Sequence, residues 1–239
     1  MNPYLAEFIG TAILVLMGNG VVANVSLKKS KGFNGGWVTI SIAWGLAVFC
    51  GVIIAGPYSG AHLNPAVSLS GMITGTLGIT AGLLYIVAQM FGAFLGATLV
   101  YMFYKDHYDI TDDADAKMGT FCTSPAIRNY GRNFFSEMIG TLILVLVILF
   151  FSTQGNTPTV GMGSLGAIPV TFLIIAIGMS LGGTTGYAIN PARDLGPRVM
   201  HALLPIKGKR DSDWSYSWVP VLGPLTGAVL ASLIYIVTI

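Results

Sequence analysis

Apolar runs long enough to cross a hydrocarbon core of about 30 Å, which takes about 20 helical residues, recur six times along the chain. They fall at residues 4–23, 36–56, 78–104, 134–152, 164–183 and 216–239. Inside them Glu7 and Glu137 are the only acidic residues, and none holds Lys or Arg. Two further apolar stretches, 63–74 after the second run and 189–202 after the fifth, are too short to cross and are predicted to re-enter the membrane. Each carries Asn-Pro-Ala at its start, as Asn64-Pro65-Ala66 and Asn190-Pro191-Ala192. The pattern predicts an all-α membrane protein with six transmembrane helices and two re-entrant half-helices.

The pattern is duplicated. EFIGTAILVL from Glu7 matches EMIGTLILVL from Glu137 at eight of ten positions, SGAHLNPAV from Ser59 parallels TGYAINPAR from Thr185, and GAFLGA from Gly92 parallels GPLTGA from Gly223. The three markers keep their order at offsets of 130, 126 and 131, which predicts one channel domain, 1–239, made of two repeats, 4–104 and 134–239, joined by an extramembrane loop, 105–133. Each repeat has three spans, an odd number, so the second copy inserts upside down relative to the first. In such inverted repeats, broken helices meet near the bilayer midplane.

Composition sharpens this. Only 9% of the residues are charged, against roughly 25% in soluble domains, as expected where a charge in hydrocarbon costs several kcal/mol. The net charge of +2 decides nothing, and no basic pattern interleaved with aromatics points to nucleic acid. Cys50 and Cys122 fit no metal or redox spacing and read as unpaired. The N-terminal segment has no basic region and reads as a retained first span. All twelve Lys and Arg lie after spans one, three and five, on the face opposite both termini. The positive-inside rule puts that face in the cytoplasm.

The two tripeptides carry the chemistry. Asn is a strong N-cap and Pro suits the first helical position, so each motif starts a half-helix inside the membrane. The macrodipole places about half a positive charge at each such end. Two ends facing each other repel cations, protons included, while the Asn amides can donate to a neutral hydroxyl. Irregular backbone at membrane depth is tolerated only where it is buried or faces water. Gly60-Ala61-His62 and Gly186-Tyr187-Ala188 are therefore expected to be extended and to line a pore with their carbonyls, His62 contributing through its carbonyl. Glu7 and Glu137 need donors, which the re-entrant N–H groups can supply as a scaffold; a proton relay is the alternative. Arg193 breaks the symmetry, because Val67 stands at its equivalent, and its permanent charge with five N–H donors suits a constriction. Gly-xxx-Gly spacings at Gly92/Gly96, Gly178/Gly182 and Gly223/Gly227 predict close helix crossings.

These segments together resemble the major intrinsic proteins, the aquaporins and aquaglyceroporins, over nearly the whole chain; SGAHLNPAV and NPARDLGPR are the specific signatures. The resemblance implies homotetramers with one pore per subunit, no cofactor, and both termini in the cytoplasm, against the charge count. It maps a selectivity filter onto Trp44, Gly178, Tyr187 and Arg193, with Gly178 leaving room for a wider opening. Asp194, Arg198 and the pair Pro220-Val221 resemble the glycerol branch, which implies passive diffusion of glycerol and other small uncharged solutes, with water. Tyr187 departs from the phenylalanine usual in that branch.

The competing readings are a mainly water-conducting channel and a proton-coupled transporter using Glu7 or Glu137. No nucleotide loop, HExxH or nucleophile–base pair points to an enzyme. The acidic run DITDDADAK lacks the Gly and terminal Glu of a calcium loop and reads as solvated, so no metal is expected.

Overall fold

The computed structural model describes residues 1–151 and 163–239. Ten α-helices account for most of them: α1 (Pro3–Ser26), α2 (Gly36–Ser59), α3 (Pro65–Ile73), α4 (Ile79–Phe103), α5 (Lys105–Ile110), α6 (Ala114–Gly119), α7 (Tyr130–Leu149), α8 (Ile168–Leu181), α9 (Pro191–Leu203) and α10 (Val219–Thr238). A 3₁₀ turn, Gly163–Ala167, leads into α8. Helices α1, α2, α4, α7 and α10 are long and apolar enough to cross a membrane; α8 is the shorter, fifth apolar run. Ser152, the predicted end of the fourth span, lies outside the described residues.

Local chemistry sets where helices begin. Four of them open on an Asn whose side-chain oxygen accepts from the first turn: Asn2 for α1, Asn64 for α3, Asn129 for α7 and Asn190 for α9. Such a cap contributes about 1 kcal/mol. The same residue type thus starts α1 and α3 in one half and their counterparts α7 and α9 in the other.

Packing repeats in the same way. Helix α1 lies against α2 and α4, and α7 against α8 and α10, while α2 meets α8 across the two halves. Each half-helix also packs on the last helix of the other half, α3 on α10 and α9 on α4. Two of the glycine spacings make close crossings. A Cβ on Gly92 or Gly96 of α4 would lie 2.4 and 2.5 Å from α1 carbonyl oxygens, and one on Gly227 of α10 would lie 2.3 Å from the α7 carbonyl of Met138. Gly178/Gly182 differs from expectation, because that space holds aromatic side chains rather than a neighbouring helix backbone.

The basic connections interlock on one face. Lys28 pairs with Asp112 at 2.5 Å, Arg210 with Asp115, and Arg128 with Asp213, while the Lys117 ammonium donates to the Lys207 carbonyl. The segment expected to be solvated is therefore partly folded in. Asp113 caps α6, and Lys117, Met118, Phe121 and Cys122 are buried. Cys50 and Cys122 are both free thiols, and burial pushes the Cys122 thiol up to about 12.

Candidate functional site

The backbone before each Asn-Pro-Ala is kinked, not extended as the sequence suggested. Positive φ recurs at alternate residues, at Ala61 (53°) and Leu63 (51°) before the first motif and at Tyr187 (38°) and Ile189 (42°) before the second. Left-handed φ at non-glycine residues costs about 1–3 kcal/mol each and persists only where the surroundings enforce it. Two buried carboxylates do so here. Glu7 accepts from the N–H groups of His62 (2.8 Å) and Leu63 (2.7 Å), from the Ser59 hydroxyl (2.6 Å) and from the Gln89 amide (2.8 Å). Glu137 accepts from the N–H groups of Ala188 (2.9 Å) and Ile189 (2.8 Å).

The asparagines tie the two segments to each other. Asn64 Oδ1 accepts from Ala66 N–H at 2.9 Å, and its amide donates to the Ile189 carbonyl at 2.9 Å. Asn190 Oδ1 accepts from Ala192 and Arg193, and its amide donates to the Leu63 carbonyl at 2.8 Å. Each asparagine thus caps its own half-helix and holds the opposite loop. An amide carries two N–H donors, so one on each side chain is left over for the cavity that both line.

That cavity has a volume of about 290 Å³. One wall is apolar: Val48 and Val52 continue the Trp44 face of α2 at four-residue intervals, and Val170 and Ile174 do the same on α8. Val67, the counterpart of Arg193, also lines this cavity. The other wall is formed by Gly60, Ala61, His62, Leu63 and Asn64 with Ala188, Ile189 and Asn190. Pro65, Ala66, Pro191 and Ala192 are buried behind it and line neither cavity. His62 stacks edge-on against Tyr85, with ring centroids 5.4 Å apart.

A second cavity of about 150 Å³ lies beyond, walled by Trp37, Gly119, Cys122, Thr123 and Gly186 among others. Among the described residues, three line both cavities: Trp44, Tyr187 and Arg193. They form the partition between them. The Arg193 guanidinium lies over the Trp44 indole, 4.1 Å from the ring centroid, as a close cation–π contact. No protein acceptor among the described residues takes its N–H groups, so they remain available to an oxygen in the partition. Gly18 makes room for Trp44, since a Cβ there would sit 2.2 Å from the indole.

Gly178 lines neither cavity. The space left by its missing side chain is filled by the Tyr187 phenol, whose oxygen would lie 2.9 Å from an added Cβ. The expected wider opening is therefore a seat for the tyrosine. Trp37 completes that seat: its indole N–H donates to the Gly178 carbonyl at 2.8 Å, and its ring meets Tyr187 edge-on at 5.7 Å. Asp194 and Arg198 also line neither cavity. They form a fully buried ion pair at 2.9 Å one turn into α9. Pro220 and Val221 stand in the first turn of α10, away from both cavities. Sequence reasoning missed Trp37 and Thr123; of these only Trp37, seven residues before Trp44 on α2, was legible.

Apolar helices α1, α2, α7 and α8 surround a cavity that both asparagine-capped segments also line, with Arg193 at its junction with a second cavity; this is the architecture of a membrane channel. The chain belongs to the Major intrinsic protein family, whose description it matches over residues 1–235. It is 52% identical to the probable glycerol uptake facilitator protein of Thermotoga maritima, over 98% of each chain. It is 53% identical to glycerol uptake facilitator protein 3 of Lactiplantibacillus plantarum, over 97% of this chain and 94% of that one. Among solved structures it resembles the aquaglyceroporin from Plasmodium falciparum, with a TM-score of 0.84, 34% identity, and coverage of 97% of this chain and 93% of the other.

Proposed function

We propose that the chain conducts glycerol and other small uncharged solutes, with water, down their gradients while excluding protons and ions. The observation that carries this reading is the partition: two aromatic surfaces, Trp44 and Tyr187, beside an arginine with unused donors. Glycerol has a hydroxylated edge and a C–H edge, and such a corner accepts the second while Arg193 and the loop carbonyls take the first. The names of the relatives agree with this substrate.

In this reading the residues act as follows. Trp44, Tyr187 and Arg193 are the selectivity filter, with Gly178 seating the tyrosine. Asn64 and Asn190, held by their Pro-Ala successors in the half-helices, supply midplane donors at two positive dipole ends. Carbonyls of the 60–62 and 186–188 segments hand the solute along, and Glu7 and Glu137 hold those segments still. The repeats 4–104 and 134–239 are inverted about the midplane, with 105–133 outside the membrane. Four copies assemble in the plasma membrane with their termini in the cytoplasm.

A water-dominated channel is the second reading, favoured by the close stacking of Arg193 on Trp44. Stopped-flow swelling of proteoliposomes in glycerol and sorbitol gradients separates the two. Glycerol entry well above that of empty vesicles supports the first, and fast water flux without glycerol entry overturns it. Protease cleavage of the 207–210 loop in intact cells tests orientation; cleavage only from the cytoplasmic side contradicts the assignment.

A further inference from the structure

We infer that Thr123 is a positioning residue for the filter, through which the buried Asp194–Arg198 pair sets the outer wall of the conduction path. The inference rests on the reading of the partition as a solute filter.

Thr123 sits in the connection after α6, and its side chain lines the outer cavity. It is 6% exposed and every polar atom it carries is engaged. Its backbone N–H and its hydroxyl both donate to Asp194 Oδ2 at 2.7 Å, and its carbonyl accepts from Arg198 Nη2 at 2.8 Å. Arg198 donates in turn through Nε to Asp194 Oδ1 at 2.9 Å and through Nη1 to the carbonyls of Ser212 (2.7 Å) and Asp213 (3.2 Å). Both charged side chains are wholly buried, and a buried pair is tolerated only when its remaining donors and acceptors are satisfied. Here the satisfying partners are the loops that form the outer face.

The clamp reaches the filter by contact. Asp194 directly follows Arg193, so the carboxylate is anchored to the same first turn that carries the filter guanidinium. On the other side, the Thr123 Cβ and methyl lie 3.4 and 3.2 Å from where a Cβ on Gly186 would stand, and Gly186 precedes Tyr187. Thr123 therefore fixes the spacing between the connection and the segment that presents Tyr187. The hydroxyl sets its distance from α9 and the methyl its distance from Gly186. Asp194 and Arg198 line neither cavity themselves, and Thr123 carries their hydrogen bonds to the wall of the second one.

The test compares Thr123→Val and Thr123→Ser with the unmodified chain in proteoliposomes, measuring water, glycerol and the four-carbon polyol erythritol in parallel. Valine keeps the methyl and shape but puts a carbon against the carboxylate, whereas serine keeps the donor. The expected result is a change of about threefold or more in the erythritol-to-glycerol ratio for Thr123→Val. Thr123→Ser, which keeps the hydroxyl on Asp194 but loses the methyl against Gly186, should shift the ratio less than Thr123→Val does. Adding Asp194→Asn should abolish the difference between the valine and threonine forms, as coupling within one network requires. If Thr123→Val alters total flux for all three solutes equally, or leaves every ratio unchanged, Thr123 is structural only and the inference is overturned. If the unmodified chain admits no glycerol, the filter reading itself falls instead.

Discussion

The two re-entrant segments share one design but differ in load. In each, a carboxylate from the first helix of its half holds two N–H groups of a kinked segment, and an asparagine caps the half-helix while gripping the other loop. Past the asparagines they diverge. Helix α3 is a short apolar element, PAVSLSGMI, whereas α9 carries Arg193, Asp194, Arg198 and His201, all buried. The shared parts shape the cavity wall, and in the proposed reading the unshared parts decide what passes.

The largest expected effect breaks the shared part. Glu7→Ala orphans two buried N–H groups and strips partners from Ser59 and Gln89, at about 1–3 kcal/mol for each buried donor. Glu137→Ala orphans two N–H groups. Thermal unfolding in detergent should rank Glu7→Ala as the more damaging, and equal losses would refute the four-donor account of Glu7. Next comes the unshared ion pair. Arg198→Met leaves Asp194 charged and buried, a loss of about 3–5 kcal/mol, and adding Asp194→Leu should recover much of it by removing the stranded charge. No recovery in the double variant would mean that the loops, and not the charge, dominate.

Much of this contrast was legible in the sequence. The six runs, the paired motifs and the mismatch between Val67 and Arg193 are matters of spacing and periodicity; α1–α4 and α7–α10 follow them closely, whereas α5 and α6 lie in the connection read as a loop. What lay beyond reach depends on three-dimensional contact. The kinks at Ala61, Leu63, Tyr187 and Ile189 are imposed by distant carboxylates, so local preference for extended backbone misleads. The filling of the Gly178 seat by Tyr187 couples residues nine apart through a turn. Asp194 and Arg198 sit beside the filter residue in sequence but turn away from the pore into a clamp with Thr123, 71 residues distant from Asp194.

Smaller effects sharpen the account. Tyr187→Phe removes a buried hydroxyl that sits with the Ser41 hydroxyl beside Gly178. The glycerol-to-water ratio should rise modestly, by about twofold, if that oxygen adds polarity to the partition; a fall would point to a role in binding the solute. The smallest effect lies in the connections around Asp213. Burial opposes ionisation of Asp213, but hydrogen bonds from Arg128 outweigh it and hold the carboxyl below the usual carboxylate range. A depressed folded value means that this contribution is fully present above about pH 4, the ordinary value, and is lost as pH falls through the lower folded one. Thermal midpoints should therefore be flat with respect to this pair from pH 7 to 5. They should converge with those of Asp213→Asn only in stronger acid.

The central claim is that Arg193, absent from the first half, makes a general pore selective. Arg193→Val gives the second half the residue of the first, and stopped-flow proteoliposome assays of water, glycerol and proton flux read the outcome directly. The expected result is retained water and glycerol conduction with a glycerol-to-water ratio changed by about tenfold, or roughly 1.4 kcal/mol, and a measurable proton leak. Unchanged ratios with proton exclusion intact would contradict it, and would leave selection to the symmetric asparagine pair alone.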